Sequence, residues 1–128
     1  MTDLLAKYTG NVPRYTSYPT APHFHEGIGR DTYAEWLGAL DASDHLSLYL
    51  HIPYCDRLCW FCACHTKRTQ KYAPVKAYLA ALEAEIRLVG RMVHGKAQVT
   101  AIHFGGGSPT MVAPEDLIHL KQVIAESF

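Results

Sequence analysis

No stretch of this sequence approaches the roughly 18 consecutive apolar residues that span a bilayer. Met1-Thr2-Asp3-Leu4-Leu5-Ala6-Lys7 also lacks the apolar core and small-residue cleavage pattern of an export signal. A membrane or exported protein is therefore not expected, which leaves a cytoplasmic one. Excess charge is missing as well, because 12 Lys and Arg face 12 Asp and Glu. With no surplus of basic residues to neutralise phosphates, a nucleic-acid partner is not expected. Disorder is excluded in turn: 48% of the residues are hydrophobic and 19% charged, which suits the packed core of one small domain. The one local departure is His65-Thr66-Lys67-Arg68-Thr69-Gln70-Lys71. It reads either as a solvated loop or as a basic rim that attracts a carboxylate-rich substrate.

Cysteine is scarce and concentrated. All four lie within Tyr49-Leu50-His51-Ile52-Pro53-Tyr54-Cys55-Asp56-Arg57-Leu58-Cys59-Trp60-Phe61-Cys62-Ala63-Cys64, directly after an apolar run. Cys55, Cys59 and Cys62 follow a C-x3-C-x2-C spacing, so three thiolates leave one loop and can converge on a metal centre. Soft thiolates select zinc, Cu(I) or iron–sulfur clusters. Disulfides are disfavoured by a reducing compartment. Zinc, completed by a fourth thiolate or by His51 or His65, is weakened because structural zinc sites usually draw ligand pairs from separate segments. A [4Fe–4S] cluster held by three cysteines would leave one iron open to a substrate or cofactor. The spacing favours this last reading and leaves the others open.

The flanking chain reads as an α/β protein. Residues 11–23 contain three prolines, which fix φ and bias their predecessors away from helix, so an extended arm is expected. Thr32-x-x-Glu35 is a capping-box pattern, and Tyr33, Trp36, Leu37 and Leu40 share one face of a helix over about 32–41, with the aromatics as core residues. Leu46 to Ile52 alternates aliphatics with Ser47, Tyr49 and His51, the pattern of a strand that Pro53 ends. Val75, Tyr78, Leu79, Leu82, Ile86 and Val89 keep a helical period, with Pro74 at the first position and Gly90 or Gly95 closing the helix. A second strand is expected over about 98–104, then Gly105-Gly106-Gly107-Ser108-Pro109-Thr110, then a helix opened by Pro114, Glu115 and Asp116.

Strand, helix, strand, helix implies parallel strands with right-handed crossovers. The glycine run lacks the pattern of a P-loop or a dinucleotide site and is, by itself, a tight turn. If the two strands pair, however, it lies beside the cysteine loop, where free backbone N–H and C=O groups could hold the amino-acid portion of a cofactor. Two such units cannot close a barrel. The chain is therefore expected to be the start of a longer protein and, expressed alone, to be insoluble or molten.

C-x3-C-x2-C is the signature of radical S-adenosylmethionine (radical SAM) enzymes, and Y-x-H-I-P-Y-C-x3-C-x-F-C-x-C with P-R-Y-T-S-Y-P-T in the arm resembles their oxygen-independent coproporphyrinogen III oxidase branch. The resemblance implies an arm with a short helix over 1–45 and, over 46–128, the first two βα units of a partial (β/α)6 barrel. It implies that Cys55, Cys59 and Cys62 hold a [4Fe–4S] cluster whose open iron binds S-adenosyl-L-methionine, and that Cys64 matters without ligating iron. By the same likeness Tyr49 lies beside one S-adenosylmethionine. Phe61, Gly107 and Ser108 lie beside a second, which this branch can bind, and Gly106 and Gly107 contact a methionyl amino group. Ser108 stands where the branch commonly has threonine, and the hydroxyl survives. The implied reaction is radical decarboxylation of two propionates of coproporphyrinogen III to vinyls, giving protoporphyrinogen IX in haem biosynthesis. The implied donor is a reductase or flavodoxin-like protein, the implied state a monomer, and this stretch alone is expected to be inactive. Two alternatives are a related radical SAM tetrapyrrole enzyme and a haem chaperone with His51 or another of the eight histidines as axial ligand.

Overall fold

The computed structural model describes residues 20–93 and 95–128. Most of the expected arm over 11–23 lies outside the described residues. At its end Ala21–His23 make a single 3-10 turn instead of extended chain, closed by the His23 amide on the Thr20 carbonyl at 2.8 Å and by Thr20 Oγ1 and His23 Nδ1 at 2.9 Å. The chain divides between Tyr33 and Ala34 into two compact units.

Helix α1 (Arg30–Gly38) begins two residues before the expected capping box, so Thr32 sits inside it. None of its residues is buried, and Tyr33 and Trp36 are about half exposed. The aromatics are therefore not core residues, as their spacing suggested. This short helix is polar on balance and has too few apolar positions to hold a face against a core.

Strand β1 (His45–Ile52) pairs in parallel with β4 (Gln98–Gly106), with one irregularity between Leu46 and Ser47. A second parallel pair was not foreseen. Past Pro53 the chain continues as β2 (Tyr54–Cys55), which pairs with β3 (Lys67–Arg68). Helix α2 (Tyr72–Val93) crosses from this region back to β4, and α3 (Pro114–Ser127) follows the glycine turn. Leu50 and Ile52 of β1 meet Val75, Leu79, Leu82 and Ile86 of α2 and Leu120, Val123 and Ile124 of α3 in one core. The α2 positions recur every three to four residues, which keeps one face of the helix inward. Along β4 and α3 the apolar Ile102, Leu117 and Ile118 remain exposed, as expected where a two-stranded sheet leaves apolar surface uncovered. No helix among the described residues is long and apolar enough to cross a membrane.

Helix α2 starts two residues before Pro74, which the first turn tolerates because its N–H groups have no intrahelical partners. It also runs through Gly90, and the chain reverses instead at Gly95, with φ +74°. Gly90 serves packing: a Cβ there would sit 2.6 Å from both Cβ and the carbonyl oxygen of Ser127. Alanine would gain helix propensity but push against the backbone of α3. We predict that Gly90→Ala speeds amide exchange across α2 and α3 about 5- to 30-fold, the effect of roughly 1–2 kcal/mol of overpacking. Unchanged or slower exchange would show that α3 yields without cost.

The first turns of α2 and α3 are tied by Asp116, the one buried charged residue among those described. Its carboxylate accepts from the Tyr72 hydroxyl and from the Lys76 ammonium, and the Tyr72 oxygen accepts the Ala113 amide at 3.0 Å. The Lys76 and then the Tyr72 hydrogen bond hold the Asp116 carboxyl below its usual range. Asp116 in turn holds the Lys76 ammonium above its own. A lowered carboxyl contributes fully above its unfolded value of about 3.9 and loses that contribution as pH falls through the folded value. A raised ammonium contributes below its unfolded value of about 10.4 and loses it as pH rises through the folded one. The pair is thus intact across the neutral range. Asp116→Asn should weaken the fold at pH 7 and make the acid loss of helical circular dichroism below about pH 4 shallower. An acid limb of unchanged steepness would remove Asp116 from the titration.

Candidate cofactor site

At the C-terminal end of β1 the strand's alternation separates two kinds of side chain. Leu50 and Ile52 point into the core, while Tyr49 and His51 occupy the other face, Tyr49 61% exposed. His51 Nε2 lies 2.9 Å from the His65 carbonyl, which can only accept, so this nitrogen carries the proton. In the neutral ring Nδ1 is then an acceptor, and the Tyr49 hydroxyl donates to it at 3.2 Å. The Tyr78 hydroxyl donates to the His51 carbonyl at 2.5 Å and fixes the strand end from the core side.

The parallel register sets His51 opposite Gly105 and Ile52 opposite Gly106, so the glycine turn emerges beside the cysteine segment as the sequence implied. The Gly107 amide donates to the Ile52 carbonyl at 2.8 Å and the Ser108 amide to the Tyr54 carbonyl at 2.7 Å. These two N–H groups are thus not free for a ligand, contrary to expectation. Gly106 has φ +104°, which L side chains rarely adopt, and the His51 ring would lie 2.8 Å from a Cβ there. At Gly107 a Cβ would lie 2.8 Å from Cys55 Sγ and would press on the Tyr54 carbonyl. The Tyr49 ring covers Gly105 in the same way. The glycines are therefore required by close approach, and Tyr49, Cys55, Gly106, Gly107 and Ser108 form one cluster. Ser108 makes no capping hydrogen bond with its side chain.

The cysteines differ sharply in setting. Cys55 is buried on β2, whereas Cys59, Cys62 and Cys64 are exposed, and all four are free thiols. Cys59 and Cys62 are joined by a turn in which the Cys62 amide donates to the Cys59 carbonyl at 3.1 Å. Thr66, at 3.5 Å from Cys62 Sγ, and then the Cys64 backbone hold the Cys62 thiol below its ordinary value, which favours the thiolate a metal needs. No group of three or more His, Cys, Asp or Glu side chains poised around one ion occurs among the described residues. Cys59 and Cys62 thus do not converge on Cys55 in this conformation, and Phe61, 97% exposed, stands away from the glycine turn. The donor set itself fits a thiolate-held cluster, since the free thiols share one exposed loop anchored at Cys55.

The basic run is less free than a solvated loop. The Lys67 amide donates to the Pro53 carbonyl at 2.6 Å and the Thr69 amide to the Cys55 carbonyl at 2.9 Å, while Arg68 Nε reaches the Asp56 carbonyl at 3.2 Å. Lys67 and Arg68 are thus held in register beside Cys55. The partners of Tyr72, Asp116 and Ala113, were not foreseen, because each lies about forty residues away and no local pattern announces it.

No model of a protein family matches the chain. A curated oxygen-independent coproporphyrinogen III oxidase of Cereibacter sphaeroides is 47% identical over 115 residues, 90% of this chain and 25% of the relative. Its counterpart in Bradyrhizobium diazoefficiens is 45% identical over 127 residues, 98% of this chain and 28% of the relative. The protein of the same description from Mannheimia haemolytica is 38% identical over 125 residues, 98% of this chain and 84% of the relative. Among solved structures, coproporphyrinogen III oxidase from Escherichia coli, a radical SAM enzyme, superposes with a TM-score of 0.81 at 35% identity, covering 98% of this chain and 27% of that one. The chain spans about a quarter of the length of the Cereibacter and Bradyrhizobium relatives. Its two strand–helix units agree with the opening of that fold without closing a barrel. Identity at this level across nearly the whole chain establishes that it belongs to the oxygen-independent coproporphyrinogen III oxidase family.

Proposed function

We propose that this chain supplies the cluster- and cofactor-binding part of a cytoplasmic enzyme that converts the propionates of coproporphyrinogen III to vinyls without oxygen, giving protoporphyrinogen IX. The observation that carries the reading is the contact of Gly107 with Cys55, which joins the thiol segment and the glycine turn into a single site. Cys55, Cys59 and Cys62 would hold a [4Fe–4S] cluster, and S-adenosyl-L-methionine would occupy the adjoining space. Together those groups supply one-electron radical chemistry when bound, with electrons from a reductase or flavodoxin-like donor.

The chain's own part is to bind and orient. Cys55 is prepositioned on a strand, while the exposed Cys59 and Cys62 would have to move toward it for the three thiolates to hold one cluster. Tyr49, over Gly105, forms one wall for the cofactor, and the hydrogen bond to His51 fixes its hydroxyl. Gly106 and Gly107 keep side chains out of the space a methionyl group would fill, and Ser108 adds a hydroxyl there. Phe61 would fold inward with its loop to meet a second S-adenosylmethionine. Cys64, two residues past Cys62, would stay off the iron. Lys67 and Arg68, fixed beside Cys55, would present positive charge to the carboxylates of the tetrapyrrole.

After anaerobic reconstitution with ferrous iron and sulfide, we predict that Cys55→Ser, Cys59→Ser and Cys62→Ser each retain at least ~10-fold less iron and sulfide than the parent chain. Cys64→Ser should retain both. Full retention by any of the first three, or loss in the fourth, would overturn the ligand assignment.

A further inference from the structure

The segment from Gly107 to Ala113 is the part of the glycine turn that touches Cys55, and it is fastened at both ends. At its front, the Gly107 and Ser108 amides donate to the carbonyls of Ile52 and Tyr54. Its middle is a 3-10 turn, Pro109–Met111, followed by Val112 in the core. At its back, the Ala113 amide donates to the Tyr72 hydroxyl at 3.0 Å. Tyr72 is the first residue of α2, the helix that leaves the cysteine-bearing segment, so this bond closes a loop between the two segments on the side away from the sheet. A phenol oxygen could rotate its proton in several directions. Here the buried Asp116 carboxylate accepts the hydroxyl's hydrogen bond, which leaves a lone pair facing the Ala113 amide, and Lys76 balances the carboxylate charge.

We propose that Tyr72 is a positioning residue of the cofactor site. Its hydroxyl holds the glycine turn down on Cys55, and Asp116 holds the hydroxyl in its accepting orientation. Removing the phenol oxygen leaves the Ala113 amide without its partner and frees the back of the turn, while the core beneath, Val112 with Leu120 and Val123, is untouched. The turn then lifts from Cys55, and the spacing between the first thiol and the glycine backbone widens. That role rests on the cofactor site proposed above, while the fastening of the turn rests on the hydrogen bonds of Tyr72 alone.

Cysteine alkylation of the protein without iron, read by peptide mass spectrometry, reports this directly. In the parent chain buried Cys55 should react with iodoacetamide at least ~10-fold more slowly than exposed Cys59. Tyr72→Phe should raise the Cys55-to-Cys59 rate ratio about 5-fold, and Asp116→Ala should do the same. Glu83→Gln is the control, because it weakens the contacts of Glu83 with Arg87 and His119 farther along the same helix pair. It should speed amide exchange in α2 while leaving the cysteine ratio within about 2-fold of the parent. Three results would each overturn the proposal: no rise in Tyr72→Phe, an equal rise in Glu83→Gln, or a parent chain in which Cys55 reacts as fast as Cys59. None of these readouts depends on iron or turnover, so they stand apart from the test of the ligand assignment.

Discussion

The parallel pairing of β1 with β4 is the constraint on which the site depends. Once His51 faces Gly105 and Ile52 faces Gly106, the next residues on both strands have no choice but to share the same small volume. The Tyr54 carbonyl and the Cys55 sulfur occupy the place where a side chain at position 107 would go, so only glycine permits the approach. A shift of one residue in that register would turn Tyr49 and His51 into the core and carry Cys55 away from the turn. Core packing and site geometry are therefore set by the same ladder: Leu50 and Ile52 anchor one face of β1, and Tyr49 and His51 are delivered to the other.

Around this ladder the polar side chains act as fasteners. His51 is held through both nitrogens and through its carbonyl, which fixes the strand end, and Asp116 ties the helix after the cysteine segment to the helix after the glycine turn. By contrast, residues 56–64 carry exposed Leu58, Trp60 and Phe61 and the exposed thiols of Cys59 and Cys62. The proposed site thus combines a packed half, Cys55 with the glycines, and an exposed half that carries Cys59 and Cys62. This division suits a loop that assembles around a cluster, where binding energy is also ordering energy.

The elements that could be read from the sequence were those with local, periodic causes. Leu46, Leu48, Leu50 and Ile52 announced β1, Val75 to Ile86 announced α2, and Pro114 with two acidic residues announced α3. Cys55, Cys59 and Cys62 pointed to soft-metal chemistry through spacing alone, and family likeness supplied the cofactor and the tetrapyrrole. What escaped was non-local. The two-residue ladder of Tyr54–Cys55 with Lys67–Arg68 is too short to have a period, and the burial of Asp116 depends on Tyr72 and Lys76 some forty residues earlier. Gly90 looked like a helix stop because glycine usually is one; here the approach of Ser127, more than thirty residues later, decides its role. Tyr33 and Trp36 fitted a buried face, yet the helix that carries them buries none of its residues.

Amide hydrogen exchange at Gly107 and Ser108, resolved residue by residue in the protein without iron, tests the shared register most directly. If β1 and β4 pair as described, both amides are protected to the level of the neighbouring β4 residues, because they donate to Ile52 and Tyr54. Exchange of both at the rate of an unstructured chain, alongside protection in β4, would mean that the glycine turn is not held against Cys55 and that the proposed site is not preformed.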